Sequence, residues 1–364
     1  MAKLRADERV SIALREMYRR HGYLPYKVSR FEEYDLYMRN KRFLPSEHVV
    51  AFSDMDGKLM ALKPDVTLSI IKNSRDSEET VKVCYAENVY RVPRGAQCFK
   101  EIMQTGLEVI GSVDAYAMGE VLMLAAKSLE AISERYALDV ADLRIVSGIL
   151  GGETLTDAQT AQLLALVSEK NLHGLCAACD ALGVACRTKE LLSALITVYG
   201  PLEETLEKYR TMELPEACGE AMRDLETMAR MLSVYGVRGV NLDFSVTSDM
   251  NYYSGLIFAG FIDGVPSGVL SGGQYDNLMR RMDRKGQAIG FAVYLDQLSR
   301  LMDAREAYDV DVLITYDDAA DPAAVAAAAQ AAAACGESVR VQRAGATGIR
   351  SRRVMNLGSG EAER

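Results

Sequence analysis

The chain has 364 residues, 49% apolar and 26% charged, an ordinary composition for a globular protein able to bury one large core or two to three smaller ones. A formal net charge of −9 argues against a dominant nucleic-acid footprint. No run of about 18 apolar residues is present to span a membrane.

The opening stretch LRADERVSIALREMYRRHG is charged throughout. It reads as an amphipathic helix over residues 5–20 rather than a signal peptide, and a cytoplasmic location is expected. Gly22-Tyr23-Leu24-Pro25 stops the helix, and strand-like, irregular sequence follows through Phe31-Glu32-Glu33-Tyr34. A hairpin comes next, with strands at 49–53 and 58–62 around the Asp56-Gly57 turn. Pro64 ends it. Asp65 and Thr67 are placed to open a helix at 66–73, where Asp65 serves as an N-cap or faces a ligand.

Residues 81–111, VKVCYAENVYRVPRGAQCFKEIMQTGLEVIG, read as two strands around a Pro-Arg-Gly turn. On the second strand Gln104, Gly106 and Glu108 share one face, and Met103, Thr105, Leu107 and Val109 share the other. Gly106 leaves a side-chain-sized gap between two polar groups. That pattern suits the floor of a polar ligand site or a solvated sheet face.

Residues 113–135 predict one long helix, and LRIVSGIL at 143–150 reads as a strand. From Leu155 to Tyr235 the periodicity is helical without strong strand signals. Strands return at 240–247 and 254–262, followed by VLSGGQYDNLM and a strand-to-helix transition in GQAIGFAVYLDQLSRLM. The remainder predicts a β-α-β unit: DVDVLITYDD, a helix in PAAVAAAAQAAAAC with proline near its first turn, and ESVRVQR. The last 20 or so residues are polar and read as a frayed tail.

Hairpin-paired strands separated by helices predict an α+β fold with a mainly antiparallel sheet. Seven scattered cysteines include Cys176-Ala-Ala-Cys179, which has no matching second pair in a chain with three histidines. Reduced helix cysteines are expected there, with no metal and no cofactor. There is no GxGxxG, P-loop or HExxH pattern. VLITYDDAADPAA lacks the Thr and Gly residues of a phosphoribosyl-diphosphate loop.

Five segments, in order, resemble the class II aminoacyl-tRNA synthetase core, specifically its histidyl-tRNA synthetase branch. LKPDVT at 62–67 is similar to Leu-Arg-Pro-Glu-x-Thr, and YR at 90–91 with KEIMQTGLEVIG at 100–111 is similar to motif 2. MNYYSGLIF at 250–258 resembles a histidine-specific segment, SGGQYDNL at 271–278 resembles Ser-Gly-Gly-Arg-Tyr-Asp-Gly-Leu, and AIGFAVYLDQL at 288–298 resembles motif 3. The resemblance implies a class II-like antiparallel sheet flanked by helices over residues 1–153 and 236–304. It further implies a helical insertion at 154–235, a truncated α/β unit at 305–347 and a disordered tail at 348–364.

The departures are chemical. Gln297 stands where the family's motif 3 arginine holds ATP phosphates, and Ser248 where its histidine-specific catalytic arginine lies. The motif 2 loop is one residue shorter, and Lys100-Glu101-Ile102 replaces Arg-Glu-Phe. A neutral side chain cannot replace the charge-assisted bonds an arginine makes to phosphate. By resemblance, the positions that contact histidine are kept: Asp65, Thr67, Arg91, Gln104, Glu108, Tyr252 and Tyr253. Glu108 would accept from the imidazole, Asp65 would meet the α-ammonium, and Arg91 or Gln104 would face the carboxylate. The two tyrosines would supply walls, or simply core packing.

A synthetase fold without its phosphate arginines resembles the regulatory subunits of ATP phosphoribosyltransferase. That resemblance implies a non-catalytic subunit for the first step of histidine biosynthesis, partnered with a short-form catalytic subunit and carrying feedback by L-histidine. It implies a homodimer through residues 10–60, although the proline of motif 1 is replaced by Ser29. The alternatives are a synthetase-like enzyme and a tRNA-binding module.

Overall fold

The computed structural model describes residues 6–41, 44, 48–74, 79–92, 98–247, 252–298, 308–345 and 348–358. The chain divides into two compact units, one over Ser11–Gln297 and one made of Leu298–Arg364 with Met1–Val10. Among the described residues no helix is long and apolar enough to cross a membrane.

The larger unit is built on a nine-stranded sheet. Its N-terminal elements are α1 (Ala6–Arg20), β1 (Leu24–Pro25), β2 (Phe31–Glu33), α2 (Tyr34–Arg39), β3 (Ala51–Ser53), β4 (Leu59–Leu62) and α3 (Thr67–Asn73). The hairpin β5 (Val81–Arg91) and β6 (Lys100–Gly111) follows, then α4 (Ala115–Ile132), β7 (Tyr136–Asp142) and α5 (Leu143–Leu150). The helices α6 (Asp157–Ser168), α7 (Leu172–Leu182), α8 (Cys186–Thr197), α9 (Leu202–Arg210) and α10 (Gly219–Val234) come next, interrupted by the short strand β8 (Gly200–Pro201). The unit closes with β9 (Val240–Leu242), a 3-10 turn Phe244–Val246, β10 (Leu256–Ile262), β11 (Leu270–Gln274), α11 (Asp276–Arg281), β12 (Gln287–Tyr294) and a 3-10 turn Leu295–Leu298.

The large sheet runs in the order β1-β5-β6-β12-β11-β10-β7-β9-β8. All its pairs are antiparallel except β1 with β5 and β7 with β9. A separate small sheet, β2-β4-β3, sits in the N-terminal part. β5 and β6 stay in register from Val81 opposite Ile110 to Arg91 opposite Lys100, and β12 pairs the other edge of β6 from Gln287 to Tyr294. This puts β6 inside the sheet, where alternate residues are buried on both faces.

Helices cover one face of that sheet. Asp114 caps α4 by accepting from the Ala117 amide at 2.8 Å. Most of α4 is buried, because it lies between the sheet and α10. α1 presents Leu14 and Tyr18 to the same core, and the Tyr18 hydroxyl bonds Ser128 of α4 at 2.8 Å. Lys63, at the end of β4, is fully buried with its ammonium 2.6 Å from Glu87 of β5. A buried lysine of this kind depends on its partner carboxylate.

Residues 143–150, expected as a strand, form helix α5, and the strand is the preceding Tyr136–Asp142. A short apolar run cannot by its length separate a buried strand from a helix. Here Asp142 decides, accepting from the Arg144 amide at 2.9 Å as an N-cap. Leu143, Val146 and Leu150 then recur at helical spacing and are buried. Asp142 is itself fully buried and holds the Arg144 guanidinium at 2.7 Å, which also reaches Asp224 of α10 at 2.8 Å.

In the smaller unit β13 (Val310–Tyr316) runs parallel to β14 (Val339–Arg343) on one side and to β15 (Ser351–Leu357) on the other. A helix over Pro322–Ala334, capped by Asp321, packs Val325 and Ala332 on Val312 and Ile314. The tail expected at 348–364 is therefore corrected over Ser351–Leu357, which is strand. Met355 and Leu357 pack on the apolar cluster at period two, a pattern masked by the neighbouring Arg352 and Arg353.

Replacing Asp142 with Ala removes a helix cap and half of a buried ion pair. It is expected to lower stability by about 3 kcal/mol in urea denaturation. A loss below about 1 kcal/mol would mean that Arg144 is satisfied by α10 alone.

Candidate functional site

Three adjacent strands make the floor. Gln104, Gly106 and Glu108 line up on β6, with Tyr85 of β5 opposite Gly106 and Gly290 of β12 opposite Glu108. Gln104 and Glu108 are 4% and 1% exposed, so this face is not solvated. The gap expected at Gly106 is already occupied. A β-carbon there would stand 2.6 Å from the Tyr85 hydroxyl and 2.2 Å from the Phe291 carbonyl oxygen. The glycine that makes room in the floor is Gly290, where a β-carbon would lie 1.7 Å from a Glu108 carboxylate oxygen.

The start of α3 reaches over this floor. Asp65 accepts from the Leu68 amide at 2.9 Å, so it braces the first turn while also lining the cavity. Thr67 Oγ1 donates to Glu108 Oε1 at 2.8 Å, and the Tyr275 hydroxyl donates to Glu108 Oε2. Tyr252 and Tyr253 form the far wall, their rings edge-on with centroids 4.8 Å apart, and Tyr252 stands 6.0 Å from Tyr275. Arg91, from the end of β5, lies 5.5 Å from the centre of the Tyr294 ring, whose hydroxyl meets Ser271 at 2.5 Å.

All seven residues singled out in the sequence (Asp65, Thr67, Arg91, Gln104, Glu108, Tyr252 and Tyr253) line this one cavity of about 90 Å³. At roughly 10–15 Å³ per water-sized sphere, it suits several such groups, the scale of one amino acid. Tyr85, Ser271, Tyr275, Gly290 and Tyr294 also line it and were not singled out. Tyr275 lies inside the quoted SGGQYDNL segment, where it looked like one more motif position. Tyr85 could be found only from the pairing register that sets it opposite Gly106.

Burial dominates the electrostatics. The Glu108 carboxyl is pushed up to about 8, because desolvation outweighs the hydroxyl bonds from Tyr275 and Thr67, and the Asp65 charge adds to the rise. Asp65 is raised as well, by burial first, with the Leu68 amide and the Arg91 charge pulling the other way. Burial lifts the Tyr85, Tyr252 and Tyr275 phenols, which stay protonated and serve as donors. Two dehydrated carboxyls in one cavity favour a ligand that brings N–H donors or positive charge.

The cavity adjoins a larger cleft of about 610 Å³ that shares Arg91, Tyr253, Ser271 and Tyr294 with it. The cleft carries apolar surface from Ile102, Ile257, Phe258 and Phe261, and Arg91 is the single cation among the described residues that line it. Gln297 sits there as a neutral group, accepting from Ser267 Oγ at 3.0 Å and donating to Asp296 at 3.1 Å. Ser248 lies outside the described residues. Cys176 and Cys179 lie on α7, and among the described residues no group of His, Cys, Asp or Glu side chains could hold a metal ion.

The family model for histidyl-tRNA synthetase matches residues 2–298. An ATP phosphoribosyltransferase regulatory subunit of Alkaliphilus metalliredigens is 26% identical over 298 residues, covering 79% of this chain and 75% of the relative. The regulatory subunit of Clostridium kluyveri is 27% identical over 317 residues, covering 84% and 81%. Among solved structures, an ATP phosphoribosyltransferase regulatory subunit/histidyl-tRNA synthetase from Bacillus halodurans C superposes with a TM-score of 0.79 at 22% identity, covering 97% of this chain and 94% of that one. A chain of the ATP phosphoribosyl transferase (HisG:HisZ) complex from Thermotoga maritima gives 0.62 at 19% identity, covering 81% and 98%. At these identities the superpositions establish the shared fold.

The raised Glu108 carboxyl has a signed consequence. A carboxyl held above its unfolded value contributes stability that is fully present at low pH. That contribution is lost as pH rises from the ordinary carboxylate range through about 8. Glu108→Gln keeps the shape and removes the titration. Its melting temperature is expected to fall less than that of the parent chain between about pH 6 and 9. Parallel pH profiles would show that Glu108 does not titrate in this window.

Proposed function

The chain belongs to the histidyl-tRNA synthetase family, and within it we propose that it is the non-catalytic regulatory subunit of an ATP phosphoribosyltransferase, whose chemistry resides in a separate short-form catalytic chain. The observation that carries this reading is the contrast between two neighbouring spaces. The amino-acid-sized pocket keeps its full set of polar groups, while the adjoining cleft presents Arg91 and a neutral Gln297 to any nucleotide. A triphosphate needs several cations or a metal to offset its charge, and one arginine is a weak clamp. The regulatory-subunit relatives support the same reading, as does the fold shared with a chain of the Thermotoga complex.

L-histidine is the ligand we assign to the pocket. Its α-ammonium would meet Asp65, and its imidazole N–H would reach Glu108, whose cost of ionisation in a dry site it offsets. The carboxylate would face Arg91 and Gln104, with Tyr252 and Tyr253 as walls. Feedback then requires histidine to favour one arrangement of the complex over another by about 1–3 kcal/mol.

Self-association through the N-terminal segment belongs to the same reading. The β2-β4-β3 sheet exposes Phe31, Phe52 and Leu59, the first two packed edge to face at 5.7 Å, with β2 and β3 as its two edge strands. Ser29, in the place of the family's motif 1 proline, bonds the Phe31 carbonyl at 2.8 Å and shapes the turn into β2. Seven free cysteines suit a reducing cytoplasm.

Mixing the purified chain with a short-form catalytic subunit is expected to raise phosphoribosyl-ATP formation, and added histidine to lower it. The chain alone should show no histidine-dependent exchange of pyrophosphate into ATP. Robust exchange, or no effect on the catalytic chain, overturns the reading. By calorimetry, Glu108→Ala and Tyr253→Ala should each weaken histidine binding about tenfold or more without unfolding the chain. Unchanged affinity in both would place the ligand elsewhere. Phe52→Lys should shift sedimentation from dimer to monomer if the small sheet carries the self-contact.

A further inference from the structure

The connection between α6 and α7 contains an anomaly. Lys170 adopts a left-handed backbone with φ 52°, and among the described residues only Asp283 shares that feature outside glycine. The Lys170 amide bonds the Val167 carbonyl at 3.0 Å and the Asn171 amide bonds Leu166 at 2.9 Å, a helix-ending geometry in which glycine is the residue of least strain. The next helix end uses glycine in that way, with Gly183 at φ 68° closing α7. A lysine held in the same conformation points to work done by its side chain.

That side chain crosses from the helical block to the sheet unit. Its ammonium lies 2.7 Å from Asp243 Oδ2 and 3.6 Å from the centre of the Tyr199 ring. Asp243 is 6% exposed and accepts from the Ser245 amide at 2.9 Å, capping the 3-10 turn Phe244–Val246. Ser168, at the end of α6, donates to the Ser245 carbonyl at 2.9 Å. Phe244 is fully buried, 6.1 Å from the Tyr209 ring of α9. The turn is thus gripped from two helices of the block. Ser245 and Val246 line the outer cleft beside Tyr253, and five residues after Thr247 the chain reaches Tyr252, the pocket wall.

We propose that Lys170 is a positioning residue. By clasping Asp243 it couples the packing of the helical block to the segment that carries Tyr252 and Tyr253, so that filling the pocket is felt in α6. The ligand arm of this proposal rests on histidine being the occupant. The block is then the element through which occupancy leaves the pocket, a two-state element biased from one side by the ligand and from the other by whatever packs on the helices.

Amide hydrogen exchange on the full chain tests it, comparing the parent with Lys170→Gly and Lys170→Arg. Glycine relieves the backbone strain while deleting the clasp, and arginine keeps the charge. In the parent, histidine is expected to slow exchange over residues 163–171 by about fivefold or more. Lys170→Arg should retain that response. Lys170→Gly should stay folded and bind histidine, yet lose the response. A Lys170→Gly chain that protects α6 as the parent does sinks the proposal, as does a parent that binds histidine without protecting α6. Without ligand, Lys170→Gly should exchange faster over residues 252–258 and unchanged over Val310–Tyr316. Equal rates at 252–258 overturn the clasp whatever the ligand is. Absence of histidine binding overturns the ligand assignment and leaves this comparison as the test of the clasp.

Discussion

A carboxyl group is buried inside the nine-stranded sheet, and much of the surrounding architecture exists to make that tolerable. Glu108 sits on an interior strand with 1% exposure, met by one hydroxyl from α3 and another from Tyr275. Those donors come from parts of the chain separated by more than 200 residues, so the β6 floor, the α3 start and the segment before α11 must all be assembled before the acid is satisfied. Desolvation still wins over the two bonds. The site is therefore left with an unmet preference for a cationic or N–H-bearing ligand, a common signature of binding positions.

Two charge balances stand side by side. Inside the pocket two acids face one arginine, which suits a zwitterion whose positive end is buried deepest. In the outer cleft Arg91 and Asp296 are the charged residues among the described lining, alongside the apolar Ile102, Ile257, Phe258 and Phe261, a poor environment for a polyphosphate. On the proposed reading, the pocket holds an amino acid beside a cleft whose described lining has one cation to offset phosphate charge. Lys63 belongs to this picture as a structural residue. Its ammonium is held by Glu87, and it anchors β4 to β5.

Much of this was legible in the residues alone. The period-two pattern of β6 marked its polar face, and the Asp65-Val66-Thr67 run marked a helix start aimed at it. The order of five short segments brought Tyr252 and Tyr253 to the same place. Cross-strand register was not legible. Gly106 looked like an open gap because nothing local announces Tyr85 across the hairpin, and the true accommodation at Gly290 lies 182 positions along the chain from Glu108. α5 was hidden by the ambiguity of a short apolar run, resolved by one capping aspartate. β15 was hidden by the adjacent Arg352 and Arg353, which give its first half a polar look before Met355 and Leu357 turn inward.

The fit of Glu108 against Gly290 also constrains how this protein can change over time. With 1.7 Å between the acid and any added β-carbon, no side chain at 290 is compatible with glutamate at 108. Losing the acid would not by itself open position 290, because the Leu107 carbonyl oxygen would still stand 2.4 Å from that β-carbon. Glycine at 290 is therefore required by the backbone of β6 as well as by the carboxylate that β6 carries. Residue 108 can change while 290 stays glycine, whereas 290 can gain a side chain only if the β6–β12 pairing itself shifts, so the glycine is the more tightly held of the two positions.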